Sequence, residues 1–348
     1  MQLSIGGKKS SLITTAVIGA SGYSGAELLR LLLFRDDVDV RHVFAASSAG
    51  KRVSDVHPAF TGMTDLLYES LEETAIPDVD VAFIALPSGE AMELVPRLVP
   101  RTRTIIDLSG DFRLPAAAMY QKFYHRPHSS PAYLAEAVYG LPELNKHKLP
   151  SARLVANPGC YPTSAILALL PVVVNGVVST TGIVINSLSG VTGAGRNSSV
   201  EYSFSEINEN IRAYKIGTHQ HAPEIQTVLE QASGKSVSLS FVPHLVPMNR
   251  GIYTTIHANL QVPSSEQELH ALYESFYAGD PFVRIRKQIP QVKNVVHTNY
   301  CDIGINVEPR TNQLILTCAI DNLLKGAAGQ AMQNMNIINH LPQQLGLI

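Results

Sequence analysis

The stretch AVIGASGYSGAELLRLL, residues 16–32, passes from an apolar strand-like run through three evenly spaced glycines into an amphipathic helical pattern. Gly19, Gly22 and Gly25 stand three residues apart. Without a Cβ the backbone there can turn tightly and approach a pyrophosphate, whose charge the N-terminus of the following helix favours. The spacing is GxxGxxG, not the commoner GxGxxG, and three glycines alone also suit a plain strand-to-helix turn. Position favours the cofactor, because the loop follows the first strand of an alternating series. Gly19, Ser21, Gly22, Tyr23, Ser24 and Gly25 are therefore candidate dinucleotide-binding residues.

Outward from this loop, LITTAVIGA, GAELLRLLLF, VRHVFAAS, VDVAFIALP, AMELVPRLV and TIIDLS alternate strand-like and helix-like runs. That alternation predicts a parallel, doubly wound sheet of Rossmann type over residues 1–156. Past Asn157 the texture changes. GIVINSLSGV, SVSLSFVPHLV, GIYTTIHANLQV and NQLILTCAI are β-rich, and in the third Thr254, Ile256, Ala258 and Leu260 share one face. Residues 157–320 are thus expected to form an α+β catalytic, substrate and dimerisation domain with a largely antiparallel sheet. Ser265 and Glu268 predict a capping box ahead of a covering helix. The segment 321–348, beginning DNLLKGAAGQAMQNMNIINHL, reads as a helix with tolerated glycines.

A chain of 348 residues with 45% hydrophobic content can bury a large core. Its formal charge of -2 and the lack of a basic run argue against nucleic-acid binding. No apolar stretch reaches membrane-spanning length, and MQLSIGGKKSSL lacks the apolar core of a signal peptide. Three cysteines make no CxxC pair and suit a reducing cytoplasm. No metal site is expected: the His-x-His pair His219 and His221 with a cysteine could bind zinc, but a catalytic zinc site wants a third protein ligand and usually a carboxylate base, and no HExxH-like cluster appears.

The second strand should end near Ala45, where an NAD site usually carries an acid for the ribose hydroxyl. Here Ser47 and Ser48 are followed by Lys51 and Arg52, which suit a 2′-phosphate and so NADP(H). A loop merely solvated by either cation is the plainer alternative.

In NPGCYPTSAILALLP, residues 157–171, the Pro-Gly turn sets Cys160 at the start of a hydrophobic helix. Unpaired N–H groups there should lower the thiol pKa and favour the thiolate nucleophile. Beside a reduced nicotinamide, such a thiol suggests thioester chemistry on an activated acyl group. Cys301 and Cys318 lie in apolar runs and read as packed side chains. GTHQHAPEI offers His219 and His221 as proton carriers just before a helix. SLSGVTGAGR gathers Ser189, Gly190 and Arg196, and DLSGDFRL presents Ser109, Asp111 and Arg113 beyond a strand end. Taken alone, a surface ion pair explains either arginine as well as anion binding does.

Together, GASGYSGAELLRLL, ALPSGEA, DLSGDFR, NPGCYPTSAILALLP, SGVTGAGR, HQHAPEI, FVPHLVPMNRGI and DNLLKGAAGQAMQNMN resemble the N-acetyl-gamma-glutamyl-phosphate reductase family, in that family's order and over nearly the whole chain. The resemblance implies NADPH-dependent reduction of an acyl phosphate to a semialdehyde in arginine biosynthesis, with release of phosphate. It implies Cys160 as nucleophile and His219 or His221 as acid/base partner. Arg113, Asn157, Ser189 and Arg196 would surround the substrate's phosphate and carboxylate. Ser88, Gly89, Gly190 and Asn322 would lie along the cofactor, the last helix returning to the nucleotide domain. A homo-oligomer, dimer or tetramer, acting on a small acyl phosphate follows from the same likeness. An aspartate-semialdehyde dehydrogenase, a reductase of carrier-linked acyl phosphates and a non-catalytic NADP-binding sensor are the alternatives; the intact Cys160 and His-x-His segment speak against the last.

Overall fold

The computed structural model describes residues 12–72, 74, 75, 78–196 and 199–348. The N-terminal residues 1–11, and with them the expectation about a signal peptide, lie outside those described. Six parallel strands form the first sheet: β1 (Ile13–Ile18), β2 (Val38–Phe44), β3 (Val79–Ile84), β4 (Thr102–Asp107), β5 (Val138–Tyr139) and β6 (Leu154–Ala156), in the order β2-β1-β3-β4-β6-β5. The order reverses between β1 and β3, and at such a point strand ends open a crevice that takes a ligand. The glycine loop stands there. Its helix, Tyr23–Leu33, buries Leu28, Leu29, Leu31 and Leu32, the one-sided pattern that packs a helix on a sheet.

The second sheet has seven strands: β7 (Ile183–Ser189), β8 (Arg212–Ala213), β9 (Leu239–Leu245), β10 (Ile252–Asn259), β11 (Val283–Arg286), β12 (Cys301–Glu308) and β13 (Gln313–Ile320). Their order is β11-β12-β13-β10-β7-β9-β8, antiparallel except at β11–β12 and β7–β9. On β10 burial alternates residue by residue, with Thr254, Ile256 and Ala258 inward. That face packs on the helix Cys160–Val174, of which Tyr161 through Val173 are buried. Pro171 inside that helix has no N–H for the carbonyl of Leu167. The hydroxyl of Tyr277 donates to that oxygen instead, and Tyr273 donates to Ala168 O, so the covering helix Glu266–Phe276 and its end repair the break. The covering helix starts on the expected box: Glu268 N donates to Ser265 Oγ at 3.2 Å and Ser265 N to Glu268 Oε2 at 2.8 Å.

The carboxyl-terminal segment departs from the single helix expected. Leu324–Ala328 is a wide π turn, and the α-helix runs only over Gly329–Ile338. Close approach requires glycine along this stretch. A Cβ on Gly326 would sit 2.8 Å from Cys160 Cβ, and one on Gly329 would sit 2.3 Å from Asn299 Oδ1. Beyond the turn, Met332, Met335 and Ile338 enter the same core as Val17, Leu28 and Leu32 under the parallel sheet.

Candidate active site

The two sheets meet where the helix Cys160–Val174 begins. Gly159 is its N-cap, and Cys160, half-buried, is its first residue. Gly159 N donates to Glu224 Oε1 at 2.9 Å, so a buried carboxylate 65 residues away holds the nucleophile turn. The same oxygen accepts from Tyr139 Oη at 2.9 Å. Glycine is required at the N-cap by close approach: a Cβ would lie 2.5 Å from His221 Nε2 and 2.9 Å from Arg113 Nη1.

His219 lies just outside the helix His221–Ser233 and His221 is its first residue, not a position ahead of it. His221 N donates to His219 Nδ1 at 3.1 Å, and both rings pack edge-on against Tyr161. Tyr161 Oη in turn meets Tyr214 Oη at 3.1 Å. These side chains line a pocket of about 530 Å³ that also receives Cys160, Ser189, Gly190, Gly193, Arg212 and Lys215.

Burial overrides the helix end in setting the charge of the thiol. Packing pushes the Cys160 pKa up to about 11, against the opposing pull of the Arg113 guanidinium and the Tyr161 N–H. The expected depression of the thiol pKa is therefore corrected: half-enclosed by protein, the sulfur loses more hydration than the helix N-terminus returns. Burial, reinforced by Lys215, lowers His219 to about 4. Burial, His219, Arg113 and Lys215 hold His221 well below its ordinary value. At neutral pH a neutral thiol thus faces neutral imidazoles.

The arginines differ from expectation. Arg113 donates from Nη2 to Leu108 O at 2.6 Å and from Nε to Asn157 O at 2.8 Å, and its Nη1 lies 3.5 Å from both Glu224 Oε2 and His221 Nε2. Most of its donors serve the protein. Arg196 lies on the other side of the cleft, donating from Nη1 to Ser21 O of the glycine loop at 3.0 Å. Asn157 is fully buried, its Nδ2 giving to Ala327 O and its Oδ1 taking from Asn334 Nδ2, so it ties the nucleophile segment to the π turn. Ser109 and Asp111 are buried too. Asp111 accepts from Gly89 N at 2.7 Å, Met92 N at 3.1 Å and Tyr120 Oη at 2.7 Å, and Gly110 N donates to Ser88 Oγ, which pins the Ser88-Gly89 loop.

Along the glycine loop, Gly19 has φ +86°, and a Cβ on it would meet Ala85 O at 2.3 Å; a Cβ on Gly25 would meet Gly19 O at 2.3 Å. Both contacts are with the chain's own backbone, so glycine at these two positions permits the tight turn and the close packing of the helix on the loop. Gly22 caps the following helix, whose first residues are Tyr23 and Ser24. Ser47 and Ser48 form a 3-10 turn just past β2, with Lys51 and Arg52 exposed beyond it and Arg52 paired to Asp65 at 2.7 Å. Asn322 Oδ1 accepts from Gly251 N at 2.7 Å and its Nδ2 donates to Thr192 Oγ1 at 3.0 Å, fixing the turn that carries Ser189 and Gly190. Ser189 Oγ donates to Gly190 O at 3.0 Å. Glu224, Tyr161, Arg212, Tyr214 and Lys215 were not singled out from the sequence as site residues. Glu224 lay inside the quoted His-x-His segment, whereas nothing local marked the pocket side of residues 212–215. Among the described residues no group of three or more His, Cys, Asp and Glu is placed to hold a metal, and no helix is long and apolar enough to cross a membrane.

Comparison with known proteins matches two family models in succession: semialdehyde dehydrogenase, NAD binding domain, over residues 14–152, and semialdehyde dehydrogenase, dimerisation domain, over residues 160–322. The chain is 45% identical over 341 residues to an N-acetyl-gamma-glutamyl-phosphate reductase of Pelotomaculum thermopropionicum, covering 96% of this chain and 97% of that protein. It is 45% identical over 340 residues to the protein of that name from Geobacter sulfurreducens, covering 97% and 98%. Among solved structures, aspartate semialdehyde dehydrogenase II from Vibrio cholerae superposes with a TM-score of 0.73 at 17% identity, covering 95% of this chain and 99% of that one. Aspartate semialdehyde dehydrogenase with NADP from Candida albicans gives 0.68 at 15%, covering 94% and 99%. At those identities the likeness concerns the fold.

Proposed function

The chain belongs to the N-acetyl-gamma-glutamyl-phosphate reductase family of semialdehyde dehydrogenases, and on that premise we propose that it reduces N-acetyl-glutamyl 5-phosphate to the 5-semialdehyde, releasing phosphate, in arginine biosynthesis. The observation that carries this reading is the full-length 45% identity to proteins of that name. The pocket that joins Cys160 to His219 and His221 supports it.

Cys160 is the nucleophile. Its sulfur bonds to the acyl carbon as the carbon–oxygen bond to phosphate breaks, and the thiol proton passes to a neutral imidazole, His219 or His221. A base is needed because the thiol keeps its proton at neutral pH. The Gly19–Gly25 loop would hold the pyrophosphate of a nicotinamide dinucleotide, which would supply the hydride that reduces the thioester carbon. The carbon–sulfur bond then breaks, the aldehyde leaves, and the imidazole returns the proton to sulfur. Glu224 and Arg113 position the Gly159–Cys160 turn and the His221 ring, and Ser189 and Gly190 line the pocket wall nearest Asn322.

We assign NADP(H) as the cofactor, on the Ser47-Ser48 turn and the Lys51–Arg52 pair with no carboxylate among residues 45–52. We also assign a homo-oligomer, dimer or tetramer, on the matched dimerisation domain, and a cytoplasmic setting, on three unpaired cysteines. Semialdehyde oxidation decides the activity: NADP⁺ should be reduced with N-acetyl-glutamate semialdehyde only when phosphate or arsenate is present. NADPH should outperform NADH in the reductive direction by roughly tenfold or more, the value of one well-formed charge-assisted hydrogen bond. Equal efficiency with the two cofactors would remove the Ser47–Arg52 turn from ribose recognition. A preference for aspartyl phosphate would move the substrate assignment to the sister enzymes.

A further inference from the structure

The substrate of the proposed reaction carries two anionic groups, the acyl phosphate at the reacting end and an α-carboxylate at the other. The pocket must answer both. The two arginines expected from the sequence to do so are largely committed elsewhere, Arg113 to Leu108, Asn157 and Glu224, and Arg196 to the glycine loop. Two other cations line the pocket that holds Cys160: Arg212 and Lys215, on the segment that enters and leaves β8.

That segment is held firmly. Arg212 and Ala213 pair with Leu245 and His244 of β9, and Tyr214 N donates to Pro243 O at 3.1 Å. Tyr214 Oη reaches Tyr161 Oη, the side chain next to the nucleophile. Lys215 follows directly, in the left-handed region at φ +46°, a conformation that strains a non-glycine residue and clusters at ligand sites. Arg212 is engaged, its Nη2 donating to Glu201 O at 3.0 Å and lying 3.6 Å from Glu201 Oε2. Lys215 is exposed and forms no ion pair among the described residues. Its ammonium is close enough to depress both His219 and His221, which places the charge over the same pocket. Arg113 Nη1 stands beside Gly159 at the nucleophile turn, whereas Lys215 lines the same pocket from the β8 segment, next to the Tyr214 that meets Tyr161.

We propose that Lys215 holds the α-carboxylate of the N-acylated substrate, a specificity role carried by the Arg212–Lys215 segment and dependent on the acyl-phosphate reductase reading above. The test uses the full chain in the oxidative direction, with N-acetyl-glutamate semialdehyde, phosphate and NADP⁺, and with 4-acetamidobutanal as the aldehyde that lacks the carboxylate. Lys215→Met should raise KM for the natural aldehyde by roughly 10- to 100-fold, with a much smaller loss in kcat and unchanged KM for phosphate and NADP⁺, which also reports folding. Toward 4-acetamidobutanal the variant and the parent should be alike, and Lys215→Arg should restore most of the affinity. A rise in KM for phosphate instead, an unchanged KM for the natural aldehyde, or an equal loss on both aldehydes would overturn the assignment. A parent enzyme with no activity on the acetylated semialdehyde would overturn the reading of the reaction along with it.

Discussion

Cys160 holds its proton at neutral pH because half-burial costs the thiolate more than Arg113 and the Tyr161 N–H recover. Its reaction with iodoacetamide in the enzyme alone should therefore be slow at pH 7 and climb by about tenfold per unit toward pH 11, tracking the thiolate fraction. A rate already at its plateau at pH 8 would mean an ionised thiol. Cys301 and Cys318, fully buried with their sulfurs 3.3 Å apart, should stay unmodified until the chain unfolds. His219 carries a stability consequence of opposite direction in pH. Its folded pKa, about 4, lies below the ordinary 6.5, so its contribution is complete above pH 6.5 and is lost as pH falls toward 4, where only the unfolded chain takes up the proton. Between those limits stability should drop by at most about 3 kcal/mol, and His219→Asn should flatten that part of a urea-midpoint profile against pH.

The glycine loop and the nucleophile helix show how elements meet at points that only glycine permits. Gly25 lies in the first turn of the Tyr23–Leu33 helix, yet a Cβ there would stand 2.3 Å from Gly19 O and 2.8 Å from Ala20 Cα. Gly25→Ala must push the loop outward by shifting backbone, so NADPH affinity should fall by roughly tenfold or more while Cys160 keeps its alkylation profile. Titration of NADPH fluorescence against the parent measures it, and unchanged affinity would show the loop bending without cost to the cofactor. The loop's register was legible because three glycines at equal spacing between a strand and a helix are a local pattern. The π turn at Leu324–Ala328 was not: the neighbour of Gly326 within it, Cys160, comes from a distant part of the chain.

Arg250 joins the two halves of the molecule. Nη1 lies 3.0 Å from Glu27 Oε2 on the first helix of the nucleotide unit, and Nη2 donates to Asp321 Oδ1 at 3.0 Å where β13 ends. Asp321 is fully buried and also accepts the N–H groups of His297, Leu323 and Leu324. Arg250→Met removes the only guanidinium paired to it among the described residues and leaves that carboxylate buried, a change that should cost about 3 kcal/mol in urea unfolding. A loss below about 1 kcal/mol would mean that the three amides alone carry the charge.

By itself the sequence determined the parallel sheet and the largely antiparallel one, the glycine loop between strand and helix, the cysteine at a helix start and the histidines ahead of Glu224, because each is written in residues a few positions apart whose periodicity or turn chemistry acts locally. Only the tertiary structure decided what those groups can do. Whether Arg113 is free for a substrate depends on Leu108, Asn157 and Glu224 converging on it. Whether the thiol ionises depends on how much water the packed fold leaves around sulfur. Lys215 joins the site because β8 pairs with β9 and sets Tyr214 against Tyr161. Desolvation and the consumption of hydrogen-bond donors are properties of surroundings assembled from distant segments, and no short stretch of chain contains them.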